Sequence, residues 1–110
     1  MPETLRQLIE AQIDHLTIEQ QRALEAASVT GKSFSAQVVA DITGIDADRL
    51  LELFETSSRC SRLVRPGACQ QLDDGNFVQV FEFVHTFYRE VFYRRQTPAR
   101  RASLQRRVRA

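Results

Sequence analysis

The first half of the chain carries apolar residues at the spacing of amphipathic helices. Within the first sixteen residues they recur every three or four positions, at Leu5, Leu8, Ile9, Ile13 and Leu16. Thr17 and Gln20 have the spacing of a capping box, so a second helix is predicted to begin after Thr17. Ser35 and Asp46 are also helix-capping residue types, and they predict one helix over 36–43 and another from about residue 47.

The second half changes from alternating to helical spacing within one aromatic stretch. Residues 77–83 alternate, with phenylalanines on the side expected to face a core, which predicts a strand. The apolar residues that follow have helical spacing: Val84, Phe87, Tyr88, Val91 and Phe92. His85 lies where the spacing changes. Upstream, residues 62–65 predict a short strand, and turn signals follow it at 66–67 and 73–76.

The order of these elements predicts an α+β fold that is mostly helical. Three consecutive helices after residue 16 form a helix-turn-helix pattern, and two strands joined by a loop follow it. This is the order of a winged helix, in which a helix-turn-helix core carries a two-stranded hairpin wing. Thr97 and Pro98 predict the start of a last helix, so the fold is expected to have an extra helix at each end.

The charge is divided unequally along the chain although the net charge is only +1. Residues 1–58 contain four basic and ten acidic residues, a net −6, whereas residues 59–110 contain eleven arginines and four acids, a net +7. Such a division indicates an acidic face and a basic face or tail. The basic end could meet nucleic acid, an acidic protein surface or the acidic half of the same fold.

Several classes of protein are disfavoured by what the sequence contains. No apolar run reaches the roughly 18 to 20 residues that span a bilayer, and no leader is evident, so we expect no membrane contact and a cytoplasmic location. Cys60 and Cys69, with two histidines, make a poor metal site and are expected to be free thiols. No nucleophile with a base at catalytic spacing is evident, so we expect no catalytic site, metal or cofactor in this chain.

A winged helix raises DNA binding as an alternative function, that of a transcriptional regulator. The third helix of the predicted core would carry Arg49 near its start and Arg59 near its end, and Arg62 and Arg65 follow it. The same helix also carries three acids, Asp48, Glu52 and Glu55, and phosphate repulsion would oppose its insertion into a groove. DNA, or another acidic partner, is therefore the second hypothesis for these arginines.

His85 and Arg89 form the polar pair with the strongest claim to function. The start of a helix presents free N–H groups and the positive end of the helix dipole, which favour an anion, and an imidazole there can donate a hydrogen bond to it. The plainer interpretation is a capping or core histidine, with Arg89 and Glu90 as surface charges.

Two stretches carry a more specific pattern, residues 16–50 and residues 81–108, with the predicted hairpin between them. The most specific part reads Phe83-x-His85-x-x-x-Arg89-Glu90-x-x-Tyr93, followed by Pro98-x-Arg100. Together, over residues 16–108, they resemble the winged-helix domain of bacterial STAND ATPases, which are large signalling ATPases and transcriptional regulators, some of them fused to adenylate cyclase domains.

The resemblance implies a non-catalytic regulatory module that packs on the nucleotide-binding domain of the same polypeptide in its resting state. His85 matches a histidine that contacts the β-phosphate of ADP in related ATPases, and Arg89 and Glu90 match a charged pair that we take as an interdomain contact. The chain has no Walker motif, so ATP or ADP would be bound by another domain of the parent protein.

The resemblance also implies three parts of a longer protein. Residues 1–16 would be a helix from a preceding helical domain, 17–96 the winged-helix domain, and 97–110 the start of a basic helix that leads to a following domain. Both end helices would then have apolar residues without full partners in this chain, namely Leu5, Ile9, Ile13, Leu104 and Val108. Exposed end helices could also join two copies as a homodimer.

Overall fold

Six helices and three strands make up the part of the chain that the computed structural model describes, which is residues 2–60, 63–71, 75 and 77–109. In order they are α1 (Glu3–Asp14), α2 (Ile18–Thr30), β1 (Ser33–Ser35), α3 (Ala36–Thr43), α4 (Ala47–Cys60), β2 (Val64–Gln71), β3 (Phe77–Phe83), α5 (Thr86–Arg94) and α6 (Pro98–Arg109). The predicted α+β class with mostly helical content is confirmed. None of these helices combines the length and the apolar character needed to cross a membrane.

The predicted helix starts are confirmed by their capping hydrogen bonds. The Thr17 hydroxyl accepts from the Gln20 N–H at 3.1 Å, and the Gln20 side chain accepts from the Thr17 N–H at 3.0 Å. The side chains of Ser35, Asp46 and Thr97 each accept a hydrogen bond from the N–H three residues later. These local bonds satisfy backbone donors that a helix start leaves free, which is why sequence spacing alone locates them.

The sheet has three antiparallel strands, with β3 between β1 and β2. Phe34 in β1 lies opposite Phe81 in β3, so the predicted hairpin gains a third strand from the short segment before α3. The turn predicted at Pro66-Gly67 is wrong, because both residues lie within β2. Residues 73, 74 and 76 of the other predicted turn lie outside the described residues.

Proline and glycine are tolerated in β2 because it is an edge strand with an irregular register. Between the pairs Pro66–Phe81 and Cys69–Gln79, β2 has one residue more than β3, which is the pattern of a β-bulge. A Cβ added to Gly67 would lie 3.2 Å from the Val80 carbonyl oxygen, so a side chain at that position would crowd the central strand.

Phenylalanine rings from the sheet and two helices form the centre of the core. Phe34 has its ring centre 4.9 Å from that of Phe54 in α4 and 5.1 Å from that of Phe83 in β3. Phe83 in turn lies 5.8 Å from Phe92 in α5. All four side chains are buried. Phe83 and Phe92, which belong to the stretch where the apolar spacing changes from alternating to helical, therefore join the sheet to α5.

Both end helices pack against the rest of the chain. Ile9 and Ile13 of α1 and Leu104 of α6 are buried, and all three belong to the same hydrophobic core. The expectation that these residues lack full partners is therefore wrong, because α5 covers α1 while α2 and α3 cover α6. Leu8 and Val108 stay 60% and 40% exposed, so they remain the apolar surface of the two end helices.

We expect Phe83→Ala to destabilise the chain by about 3 to 5 kcal/mol, because it removes the ring that contacts both Phe34 and Phe92. Urea unfolding followed by circular dichroism measures this loss. Ile18→Ala is the control, since that side chain is 69% exposed and its truncation should change the unfolding free energy little. Equal effects of the two variants would contradict the assignment of Phe83 to the core.

Candidate functional site

His85 is the N-cap of α5. Its backbone is extended (φ −142°, ψ 149°), and its Nδ1 accepts a hydrogen bond from the Phe87 N–H at 3.1 Å. The imidazole also lies on the Phe87 ring, with 4.4 Å between ring centres. Accepting this bond requires an Nδ1 without a proton, so the neutral ring that caps α5 carries its N–H on Nε2. The capping interpretation of His85 is confirmed, and the second ring nitrogen is left as a donor.

An apolar groove lies beside this cap, between α1 and α5. It has a volume of about 300 Å³. His85 contributes an imidazole to its lining; the other lining residues are Leu5, Ile9, Val84, Phe87 and Tyr88. The groove therefore combines an exposed imidazole with four side chains that stay at least partly exposed, Leu5, Val84, Phe87 and Tyr88, over the buried Ile9.

Arg89 binds within the chain, away from His85. Its Nε donates to the carbonyl of Ser28 at 2.9 Å, and its guanidinium lies 5.4 Å from the centre of the Tyr93 ring. Ser28 is buried near the end of α2, where backbone carbonyls lack partners within the helix. Arg89 thus stabilises the packing of α5 on α2. Arg89 and His85 have different partners and do not form one ligand site.

Glu90 lines a second groove between α1 and α5, which is charged and does not include His85. It pairs with Arg94 at 2.9 Å. In the same region, Arg95 lies 3.9 Å from Glu10 and 3.8 Å from Asp14, so ion pairs join the two helices. Such exposed pairs each contribute little to stability, about 0 to 1 kcal/mol. The interdomain role of Arg89 and Glu90 stays a prediction.

Three of the four arginines of the DNA alternative are described, and each contacts a group of the same chain. Arg49 donates from two nitrogens to both carboxylate oxygens of Glu19, at 2.9 and 2.8 Å. Arg65 pairs with Glu82 at 2.6 Å, and Arg59 donates to the backbone of its own helix at 3.4 Å. Arg62 lies outside the described residues. Arg49 and Arg65 are therefore partly neutralised before any partner arrives.

Gln96 is a structural residue that the sequence reasoning missed. It is only 5% exposed, and its Nε2 donates to the Glu25 carbonyl at 2.8 Å and to the Ser28 hydroxyl at 3.3 Å. It lies two residues beyond the end of α5 and four after Phe92, so it extends the helical spacing of the apolar residues past the helix. That spacing was the available signal, because a glutamine at a buried position needs hydrogen-bond partners in the core.

No three His, Cys, Asp or Glu side chains come together in a metal-binding arrangement among the described residues. Cys69 is an exposed free thiol whose Sγ lies 3.4 Å from the Gln79 side-chain oxygen. The chain matches no protein-family model, no curated protein and no solved structure. Inferences about function therefore depend on the residues and on their placement in the fold.

Replacing Arg89 by alanine should destabilise the chain by about 1 to 3 kcal/mol, because the buried Ser28 carbonyl loses its donor. Arg94→Ala removes the same charge from the same helix, but its side chain is 73% exposed, so about 0.5 kcal/mol or less is expected. Chemical unfolding of both variants measures the difference. A loss in Arg94→Ala as large as that in Arg89→Ala would show that charge, and not the bond to Ser28, matters.

The Glu19–Arg49 pair predicts one component of the acid sensitivity. The hydrogen bond from Arg49 lowers the pKa of the Glu19 carboxyl below its ordinary value of 4.5. Because this pKa is lower in the folded than in the unfolded chain, the ionised carboxyl stabilises the fold above pH 4.5. That stability is lost as the pH falls through the folded-state pKa. We expect Glu19→Gln to reduce the loss of stability below pH 4.5, measured by urea unfolding. Glu55→Gln, the same change on an exposed side chain of α4, is the control, and an equal reduction there would contradict the assignment.

Proposed function

We propose that this chain is a non-catalytic regulatory module of winged-helix architecture, which acts by contact with other domains of a larger signalling ATPase of the STAND type. From α2 to β3 the elements follow the order helix, strand, helix, helix, strand, strand, and β3 lies between β1 and β2. This order supports a winged helix in which α3 and α4 form the helix-turn-helix pair and β2 and β3 form the wing. A cytoplasmic location belongs to the same proposal.

The observation that carries the proposal is the apolar groove between α1 and α5 with His85 at its edge. Contacts between domains bury apolar surface around a few oriented polar groups. The groove offers both: Val84 is 38% exposed, and no described residue forms a hydrogen bond with Nε2 of the exposed His85. Of the three residues singled out by the resemblance, His85 lies at this surface, whereas Arg89 is bound to Ser28.

His85 has the chemistry of an anion contact in the assembled protein. Its Nδ1 is used by the cap of α5, which fixes the ring and leaves the Nε2–H exposed near the positive end of the helix dipole. This arrangement supports the proposal that His85 reaches a phosphate of ADP bound by another domain of the parent protein. ATP or ADP would be that domain's ligand, and this chain would supply the reporting side chain.

The second candidate, a DNA-binding winged helix, is weakened by the surface of α4. In a winged helix this element would enter the major groove, yet Asp48, Glu52 and Glu55 are exposed on it. Its Arg49 is bound by Glu19 and lies 3.4 Å from Glu52. Phosphate would have to displace these carboxylates, so the helix favours a protein partner over a duplex.

In the polypeptide that joins this chain to a nucleotide-binding domain, His85→Asn should speed the release of bound ADP by about tenfold, the effect of one lost hydrogen bond to a charged group. Asparagine is a strong N-cap, so the variant keeps α5 capped while it removes the imidazole. His15→Asn is the matched control, because His15 is exposed at the end of α1. Stopped-flow displacement of a fluorescent ADP analogue measures the rate.

Unchanged ADP release in His85→Asn would remove the nucleotide contact from the proposal. An electrophoretic mobility shift on duplex DNA tests the alternative directly. We expect no retarded band at about 0.15 M salt. Tight binding at that salt concentration, lost in Arg49→Gln or Arg65→Gln, would contradict the interdomain proposal and favour the DNA-binding one.

A further inference from the structure

Three arginines from two helices line a groove on a different part of the molecule. Arg22 comes from α2, and Arg100 and Arg107 lie two helical turns apart on α6. The groove has a volume of about 330 Å³. Its other lining residues are Thr43, Ile45, Ser103 and Leu104. The lining thus contains three guanidinium groups, two hydroxyl groups and an apolar floor, with no carboxylate among the residues that line it.

Hydrogen bonds within the fold hold the side chain of Arg107 and the backbone of Arg100. Nη1 of Arg107 donates to the carbonyl of Ile42 at 2.9 Å, which satisfies the end of α3 and uses one of the five N–H groups of the guanidinium. The backbone N–H of Arg100 is held by the Thr97 cap at 3.2 Å, so its side chain leaves α6 from an ordered first turn. Arg22 lies on α2, the helix on which α6 packs.

An acid near the groove interacts with two of these arginines. Glu25 is half-buried on α2; burial raises the pKa of its carboxyl, and Arg100, Arg95 and Arg22 each oppose that rise. Among the described residues, no carboxylate belongs to the lining of the groove itself. An anion that enters the groove is therefore attracted by three arginine side chains.

We propose that the groove formed by Arg22, Arg100 and Arg107 binds the phosphate group of a small ligand. A phosphate carries up to two negative charges and three oxygens that accept hydrogen bonds, which match three guanidinium groups better than the two oxygens and single charge of a carboxylate. Ser103 lies in the same lining, whereas the Thr43 hydroxyl already donates to the Val39 carbonyl at 2.7 Å and accepts from the Ile45 N–H at 3.2 Å.

The shape of the site favours a small molecule over a nucleic acid. A concave groove of about 330 Å³ falls in the range of small-ligand sites, roughly 300 to 1,000 Å³. A duplex instead needs cations spread along its backbone. This site shares no lining residue with the groove at His85, and it does not depend on the proposed interdomain role.

Titration with pyrophosphate at constant ionic strength, followed by the backbone amide signals in NMR spectra, tests the site. Saturable shifts are expected around Arg22, Thr43 and Ser103. Arg22→Gln and Arg100→Gln should each weaken binding about tenfold, the loss of one charge-assisted hydrogen bond. Both side chains are exposed, so the variants are expected to fold, and circular dichroism checks this. Glu25→Gln should strengthen binding, because it removes the competing carboxylate.

Arg106→Gln is the matched control, since it removes the same charge from α6 at a position that does not line the groove. Equal weakening in Arg106→Gln and Arg100→Gln would overturn the proposal, because it would reflect general positive charge. Absence of saturation in the millimolar range would overturn it as well. Binding of a short DNA duplex without binding of pyrophosphate would assign the arginines to a nucleic acid instead.

Discussion

The burial of α2 is the constraint on which the other elements depend. This helix packs against α3, α4, α5, α6 and β1, so its second half has little surface left for solvent. Six residues of that half are small or apolar and buried: Ala23, Leu24, Ala26, Ala27, Ser28 and Val29. Alanine and serine let neighbouring helices approach closely. A helix end that is buried in this way must still find donors for its last carbonyls, and α5 supplies one through Arg89, which donates to the Ser28 carbonyl. Gln96, the residue before the α6 cap, adds a bond to the Glu25 carbonyl about one turn earlier.

This constraint separates residues that build the fold from residues that remain available for function. Arg89 is used to hold α5 on α2. His85 is used only in part, because the cap of α5 occupies one ring nitrogen. The stretch from Phe83 to Tyr93 therefore contains both kinds of residue. The apolar groove beside the capped histidine stays open at the surface.

The unequal distribution of charge is resolved in part by pairing within the fold. Arg95 beyond α5 lies near Glu10 and Asp14 of α1, so a basic residue of the second half meets acidic residues of the first half there. Arg49 and Glu19 pair within the acidic first half. Arg22, Arg100 and Arg107 instead share one groove, and the carboxylate of Glu25 interacts with the first two of them. The positive charge that remains there is a property of tertiary packing.

By itself the sequence determined most of the local structure. Helix starts depend on bonds between residues three or four positions apart, so Thr17, Ser35 and Asp46 could be assigned from spacing alone. Alternation likewise located β3. Tertiary structure decided the rest. Pro66 and Gly67 lie in a strand because β2 is at the edge of the sheet, which tolerates a missing donor and a bulge. His85 remained ambiguous in sequence, because a cap and a ligand contact need the same position. Only the packing of α1 against α5 placed an open groove beside it, since contacts between distant residues leave no periodic signal in the chain.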